Sequence, residues 1–396
     1  KPSDYFNTVL YSGTDSAQAV TGVGFQPDWT WIKCRSHGGS ASFEHILTDA
    51  VRGVNKTLVS NDTDAETTDN ATGYLNIFGS DGFTTASGGT SIDAVGGAGR
   101  TYASWNWKET ATAGFDIVSY SGTGSTATVS HNLGVVPSLI ILKCRTNANP
   151  DWIVFGKALG GTVGSEFLKL NNTTAKTTGL NTSWFNQTAP TSSVFTVGTQ
   201  LDVNASSNTY IAYCFAEKQG YLKTGKWTGN GNNDGPFSFC GFKPAFIMIK
   251  RTDVAKNWYI NDNLREGYNN DNPYLSPNIS AAETGGTEID ILSNGFKIRA
   301  SGTGHNQSGG TYIYMAIAEN PFVTSTGVPA TARWWLRKML PDSRQKEINI
   351  LFKKIIHTLI IINIILGSIT IYDKFIYVPD TSIKTRYINA LYPDEV

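Results

Sequence analysis

Short apolar runs separated by polar, Gly-, Asn- and Thr-rich stretches fill the first 333 positions. In Trp29-Thr30-Trp31-Ile32-Lys33 the pattern alternates. Trp29, Trp31 and Lys33 share one face of a strand, and Thr30 and Ile32 share the other. In Ser138-Leu139-Ile140-Ile141-Leu142 both faces are apolar, which predicts a strand covered on both sides. Pro27, Pro137 and Pro244 stand just before these runs, where a missing backbone donor costs little. Tyr210, Ala212, Cys214 and Ala216 alternate with Ile211, Tyr213 and Phe215, another strand. Asp81-Gly82 and Asn294-Gly295 predict hairpin turns with positive φ at both residues. Helix is scarce. Residues 49–53 and 262–267 each predict one helical turn, with the aspartate as cap and the arginine as its partner. The expected fold class is all-β, built from two-sheet antiparallel sandwiches of jelly-roll type.

The pattern comes three times. Gly24-Phe25-Gln26-Pro27, an apolar run and Lys33-Cys34-Arg35 are matched by Gly134-Val135-Val136-Pro137, a run and Lys143-Cys144-Arg145. They are matched again by Gly241-Phe242-Lys243-Pro244, a run and Lys250-Arg251. The prolines lie 110 and 107 positions apart, as do the lysines. Other landmarks keep the order: His45-Ile46-Leu47, Trp152-Ile153-Val154 and Trp258-Tyr259-Ile260, then closing strands at Trp105-Asn106-Trp107, Tyr213-Cys214-Phe215 and Tyr314-Met315-Ala316. A period of this length predicts one folded unit used three times. The units are placed at 1–110, 111–219 and 220–323, with a linker at 324–333. Copying a unit multiplies binding surface or spacing, whereas a catalytic constellation rarely needs three copies.

At Arg333 the character changes. Thirty-nine of the forty glycines precede it, and 334–396 is an unrelated isoleucine-rich tail. Residues 355–372 form an apolar run interrupted by His357 and Asn363. Three readings stand: a membrane-inserting helix, a packing helix or strand, or an appended stretch foreign to the rest. The chain opens at Lys1, without a methionine, and is expected to be a fragment or a processed product.

Composition narrows the function. Net charge is zero and charged residues make up only 16%, which gives no clustered cation for a nucleic acid. Cys34, Cys144, Cys214 and Cys240 read as free, buried thiols. His37, His45, His131, His305 and His357 lack metal-ligand spacing, and no phosphate loop, dinucleotide fingerprint or nucleophile elbow is present. No cofactor, metal site or catalytic residue is expected. Asp62, Asp64 and Glu66, or Glu283, Glu288 and Asp290, are the acids a glycan hydrolase would need, but they lie in polar stretches with nothing to raise a pKa. Asn230, Asn232 and Asp234 read as turn residues rather than calcium ligands. Trp29, Trp31, Trp105 and Trp107 read as core. Trp152, Trp184, Tyr259, Tyr268 and Tyr274 lie nearer polar loops and are the candidate ligand-binding residues, since sugar faces stack on such rings.

The stretch from Tyr5-Phe6-Asn7 through Pro27-Asp28-Trp29-Thr30-Trp31-Ile32-Lys33, Asp49-Ala50-Val51-Arg52-Gly53, Ser60-Asn61-Asp62-Thr63, Asp81-Gly82-Phe83 and Trp105-Asn106-Trp107-Lys108 resembles a family of repeated β-sandwich domains of unassigned function. That family is common in predicted tail, fibre and other virion proteins of marine bacteriophages. The resemblance covers 1–333. The second unit lacks the Asp-x-x-Arg-Gly element and the Asp-Gly-Phe turn. It implies a non-enzymatic particle protein located in the virion. The leading expectation is a fibre or tail appendage that attaches to a bacterial surface glycan. The alternatives are a structural capsid-decoration or filament subunit, or a polysaccharide depolymerase. Expected partners are other virion proteins and further copies of the chain, a trimer being favoured, with no nucleic acid; the tail is the only candidate for membrane contact.

Overall fold

Alternation and β-branched or aromatic content turn the apolar runs into strands, and Gly- and Asn-rich links turn the chain between them. The structure is a computed structural model that describes residues 1–36, 43–68, 74–86, 94–160, 166–178, 182–265, 269 and 272–319. The chain divides between Pro329 and Ala330. The tail at 334–396 and its run at 355–372 lie outside the described residues. Among those residues no helix is long and apolar enough to cross a membrane.

Sandwich 1 holds β1 (Phe6–Ser12), β2 (Ala19–Thr21), β3 (Trp29–Cys34), β4 (Ile46–Asp49), β5 (Lys56–Val59), β6 (Thr67–Thr68), β7 (Leu75–Gly79), β8 (Gly82–Thr85) and β9 (Thr101–Trp107). Sandwich 2 holds β10 (Phe115–Ser121), β11 (Ala127–Ser130), β12 (Leu139–Cys144), β13 (Ile153–Gly156), β14 (Leu168–Lys169), β15 (Val194–Val197) and β16 (Thr209–Phe215). Sandwich 3 holds β17 (Leu222–Thr228), β18 (Phe237–Phe239), β19 (Pro244–Arg251), β20 (Trp258–Asp262), β21 (Ile289–Leu292), β22 (Gly295–Ile298) and β23 (Thr311–Ala318). The larger sheets run β1-β9-β3-β4-β5-β6, β10-β16-β12-β13-β14 and β17-β23-β19-β20; the smaller run β2-β8-β7, β11-β15 and β18-β22-β21. Every named strand pair is antiparallel. The first strand pairs with the last and the second with the last but one, β8, β15 or β22, the nested pairing of a jelly roll. The third and fourth strands then adjoin in one sheet, where a full jelly roll would cross over.

At 49–53 the chain makes the expected single helical turn: Gly53 N bonds the Asp49 carbonyl at 2.9 Å, and Asp49 Oδ1 caps it by accepting from Arg52 N at 2.8 Å. At 262–265 Asp262 Oδ1 accepts from Arg265 N at 3.0 Å in the same way, and the rest of the 262–267 segment lies outside the described residues. One local expectation is corrected. The hairpins are real but sit one residue earlier. Gly79 pairs with Gly82 and Leu292 with Gly295, so the loops are Ser80-Asp81 and Ser293-Asn294, and none of these four has positive φ. Gly82 has the expected positive φ, 146°, and Gly295 does not. Both glycines also serve space: a Cβ on Gly82 would lie 2.0 Å from the Val20 carbonyl oxygen, and on Gly295 2.1 Å from that of Ser238.

Each larger sheet has two covered faces. One packs on its own smaller sheet: Ile32, Tyr102 and Phe83 in sandwich 1, Ile140, Tyr210 and Phe195 in sandwich 2, Ile247, Tyr312 and Phe296 in sandwich 3. The other faces its fellows, in one core that takes Trp29, Trp31, Trp105 and Trp107, then Ile141, Trp152 and Tyr213, then Phe246, Met248 and Met315. Trp29 stacks on Tyr213 with centroids 4.3 Å apart, and Phe6 meets Phe246 at 5.7 Å. All four cysteines are free and buried.

The sandwiches are also tied in a closed cycle. Lys143 Nζ donates to the Thr63 carbonyl at 2.6 Å, Lys250 Nζ to that of Thr173 at 3.0 Å and Lys33 Nζ to that of Ser280 at 2.9 Å. Thus sandwich 2 reaches 1, 3 reaches 2, and 1 reaches 3. Each ammonium also donates within its own sandwich, to Pro150, Lys256 or Phe43. Burial pushes all three lysines down to about 8. A second cycle runs through the indoles. Trp152 Nε1 donates to the Val59 carbonyl at 2.9 Å and Trp258 Nε1 to that of Lys169 at 2.8 Å. His45 stands in the third place. Trp31 Nε1 donates to its Nδ1 at 2.9 Å, which leaves the proton on Nε2, turned toward the Ser276 backbone without closing a bond of ordinary geometry.

Candidate functional site

Charged side chains between sandwiches come first, because they absorb several candidate acids. Asp49 sits at the end of β4, buried, and pairs with Arg52. Tyr213 Oη of sandwich 2 donates to Asp49 Oδ2 at 2.7 Å, and Arg52 reaches on to Glu66 at 3.3 Å. Glu66 takes a two-pronged contact from Arg145 of sandwich 2, at 2.8 and 3.0 Å. Its partners hold the Glu66 carboxyl below the usual range, although burial alone would raise it. Sandwich 3 builds the same relay toward sandwich 1. Asp262 pairs with Arg265, Trp105 Nε1 donates to Asp262 Oδ2 at 3.0 Å, and Glu283 holds Arg265 and Arg35. Glu66 and Glu283 are therefore both committed to arginines, and Glu66 is the opposite of a general acid with a raised pKa. Asp62 and Asp64 are exposed on the same loop. Asp290 pairs with Arg299 at 3.1 Å.

One acid pair was not legible from the sequence. Glu109 caps the start of sandwich 2, accepting from Ile117 N at 3.0 Å. Burial, with Asp116 beside it, raises its carboxyl to about 7. Glu217 repeats the cap at the next junction, accepting from Thr224 N at 3.0 Å. The recurrence marks a joint between sandwiches.

The five candidate aromatics separate. Trp152 is sealed in the shared core, with its indole N–H used by sandwich 1, so it has no face to offer a ligand. Trp184 is half-buried, lies on Phe167 at 4.8 Å and donates to Asp202 at 3.2 Å. Tyr268 lies outside the described residues. Tyr259 and Tyr274 are brought together: their rings meet edge to face with centroids 5.1 Å apart. His305 joins them, 4.2 Å from Tyr259 and 6.0 Å from Tyr274. Glu288 is close enough to act electrostatically on both phenols. Burial lifts Tyr259 to about 12 and pushes His305 down to about 4, so the cluster holds neutral rings at pH 7. Tyr259 and His305 are buried, whereas Tyr274 and Glu288 are half-exposed. His305 Nε2 has no hydrogen-bond partner.

This cluster belongs to sandwich 3 alone. Register places Ile153 of sandwich 2 where Tyr259 stands and Phe167 where Tyr274 stands. Val203 precedes Asn204 as His305 precedes Asn306, and those two asparagines make the same loop bonds, to Thr123 N at 2.8 Å and Asn230 N at 2.9 Å. Ile153, Phe167 and Val203 are all buried core. Asn230, Asn232 and Asp234 form successive side-chain-closed turns, as their sequence implied: Asn230 Oδ1 accepts from Asn232 N at 3.0 Å and Asn232 Oδ1 from Asp234 N at 2.9 Å. Among the described residues no group of three His, Cys, Asp or Glu could hold a metal ion.

No curated protein and no solved structure matches this chain. One family model does, and it runs through all three sandwiches in a single stretch from 1 to 321. By that match the chain belongs to the family described as Domain of unknown function (DUF7483).

Proposed function

We propose that this chain is a non-enzymatic bacteriophage virion protein, a fibre or tail appendage that holds three β-sandwiches in fixed relation and attaches to a glycan of the bacterial surface. The closed cycle through Lys33, Lys143 and Lys250 carries the reading, because it fixes three sets of loops on one chain. Weak sites held in fixed relation gain avidity without new contacts. The acids of the depolymerase alternative do not support hydrolysis: Glu66 and Glu283 hold sandwiches together, and arginines keep Glu66 ionised.

The test is binding of the labelled full-length chain to a panel of bacterial cells and to purified lipopolysaccharide and capsular polysaccharide. Attachment that disappears when the glycan is oxidised with periodate is the expected result. No attachment to any surface, with the chain built into particles, would replace this reading by the structural one.

One observation favours that structural alternative. On the solvent face of β18, Phe237 and Phe239 are 44% and 63% exposed. The equivalent places are Ala19 and Thr21 in β2, and Thr128 and Ser130 in β11. Two phenylalanines at an exposed sheet edge fit a contact with another particle protein.

A further inference from the structure

We infer that the open edge of β18 joins two copies of this chain. Each copy lays its β18 antiparallel on the other's, Phe237 opposite Phe239, so that two three-stranded sheets become one across a two-fold axis. The inference goes beyond the attachment reading and stands without it. It names the partner for the strand that favours the structural alternative.

The backbone is its first ground. The order β18-β22-β21 leaves β18 at the edge, and no other strand of the described residues pairs with it. Cys240 N donates to the Asn294 carbonyl at 2.9 Å, and Ile298 N to that of Pro236 at 3.0 Å. Antiparallel strands exchange bonds at every second residue, so Pro236, Ser238 and Cys240 face β22. Phe237 and Phe239, between them, turn their N–H and C=O groups to the open edge. Two such edges set antiparallel about Ser238 match donor to acceptor at both phenylalanines.

The side chains are the second. Both rings are exposed, where β2 carries Ala19 and Thr21 and β11 carries Thr128 and Ser130. Covering a hairpin glycine does not account for them. The Phe237 ring lies over Gly295, 3.1 Å from where a Cβ would stand, but Gly82 holds the same place in sandwich 1 beside Thr21. Sandwich 3 also braces this edge from beneath. Gly225 and Tyr314 pair where sandwich 2 pairs Val118 and Ala212. A Cβ on Gly225 would lie 2.5 Å from the Tyr314 ring. Tyr314 Oη donates to the Phe239 carbonyl at 3.4 Å, which uses one of its two lone pairs. The exchange steadies β18 without closing its edge.

Charge and symmetry select the occupant. Edge strands that stay single are commonly blunted by a lysine or another charge. β18 carries none, and the whole chain has zero net charge, so a like strand meets no repulsion there. Asp234 precedes the strand and Lys243 follows it, and antiparallel pairing brings each near the other of the second copy. Both keep their own partners, Lys297 and Glu319. The head-to-tail faces that a trimer would use are taken up within the chain, where the three lysines close the cycle. A like copy is left an outer surface, and a pair of like strands is two-fold. Two rings per copy cover far less than the roughly 1,200 Å² of a permanent pair, so the contact is weak and reversible.

The experiment is sedimentation equilibrium of the full-length chain up to about 0.5 mM. Beside it run the double variant Phe237→Thr/Phe239→Ser, which installs the residues of β11, and the single variant Phe239→Lys. The replaced side chains are exposed, so Tm should stay within about 2 °C. The expected result is a monomer–dimer equilibrium in the wild-type chain, weakened about tenfold or more by either variant. A wild-type chain that stays monomeric throughout, or a dimer or trimer that both variants keep, would overturn the contact. If the wild-type chain is monomeric and the double variant fails to enter particles, β18 meets a different protein: the two-fold contact falls and the structural alternative stands. Neither result bears on the periodate test, so attachment is judged separately.

Discussion

Sandwiches 1 and 2 meet across Asp49, Arg52, Glu66 and Arg145, whereas sandwiches 2 and 3 meet across Gly156, Leu159, Lys176 and Thr252. These are the same four places. Asp49 faces Trp29 in register as Gly156 faces Leu139, and Glu66 N bonds the Arg145 carbonyl at 2.7 Å as Lys176 N bonds that of Thr252 at 2.8 Å. The interface of sandwiches 3 and 1 keeps the charged set, with Asp262, Arg265, Glu283 and Arg35. In the third interface all four members change together. Lys176 turns to Glu166 at 2.9 Å, and Arg251 pairs locally with Asp253. What is left is a small gap between Gly156, Met248 and Met315. The difference teaches that the shared core and the lysine cycle are sufficient to join two sandwiches. The relay is an addition whose parts are useful only as a set, because a lone buried charge is far more costly than none.

One residue type placed at three equivalent positions tests this most strongly. Arg52→Met and Arg265→Met each strand a buried aspartate and should lower stability by about 3–5 kcal/mol, read from urea midpoints. Leu159→Met, at the matching place in sandwich 2, should cost less than about 1.5 kcal/mol. Equal losses at all three would break the comparison.

The next contrast is between the cores of sandwiches 3 and 2. The folded chain holds His305 at about 4, below the ordinary value of 6.5, so the unfolded chain binds more protons between those values. This residue's contribution is therefore complete above pH 6.5, is lost as pH falls toward 4, and changes no further below that. His305→Val should make the pH dependence of stability shallower across that window, by up to about 3 kcal/mol. An unchanged profile would show that the histidine is not buried as described.

Smaller effects sharpen the picture. Trp152→Phe and Trp258→Phe each remove one indole hydrogen bond to a neighbouring sandwich and should cost about 1 kcal/mol, equally with or without the relay nearby. A clear difference between them would mean that relay and indole cycle are coupled. Smallest is Gly156→Ala. Its new methyl meets nothing closer than 3.4 Å, and Gly156 has no positive φ, so the variant should be neutral or gain about 0.4–1 kcal/mol in thermal unfolding.

Much of the architecture could be read from the chain. Alternation in Trp29-Thr30-Trp31-Ile32 placed both indoles on one face, and continuous apolarity in 138–142 announced a strand covered on both sides. What covers the second face could not be read, since a strand's pattern reports burial and not its partner. Lys33, Lys143 and Lys250 were visible as a repeated mark, but nothing local says that each reaches a carbonyl of another sandwich. Trp152 looked like a loop aromatic because polar residues flank it; the carbonyl of Val59 that takes its N–H lies far off in sequence. Asp49 and Arg52 were legible as a capped turn with its ion pair, because both partners lie within one turn of chain. Among the candidate ligand residues, Tyr259 and Tyr274 carried no motif. The signal lay in comparing sandwich 3 with sandwich 2 position by position, where Ile153 and Phe167 mark both tyrosines as departures.

The central claim is that three sandwiches share one core and stand or fall together. Native-state amide exchange of β3, β12 and β19 in rising urea tests it most directly. The account predicts that the most protected amides of all three strands converge on a single opening free energy and a single urea dependence. If β19 opened with its own lower free energy while β3 and β12 stayed protected, sandwich 3 would be an independent body, and the shared core would be contradicted.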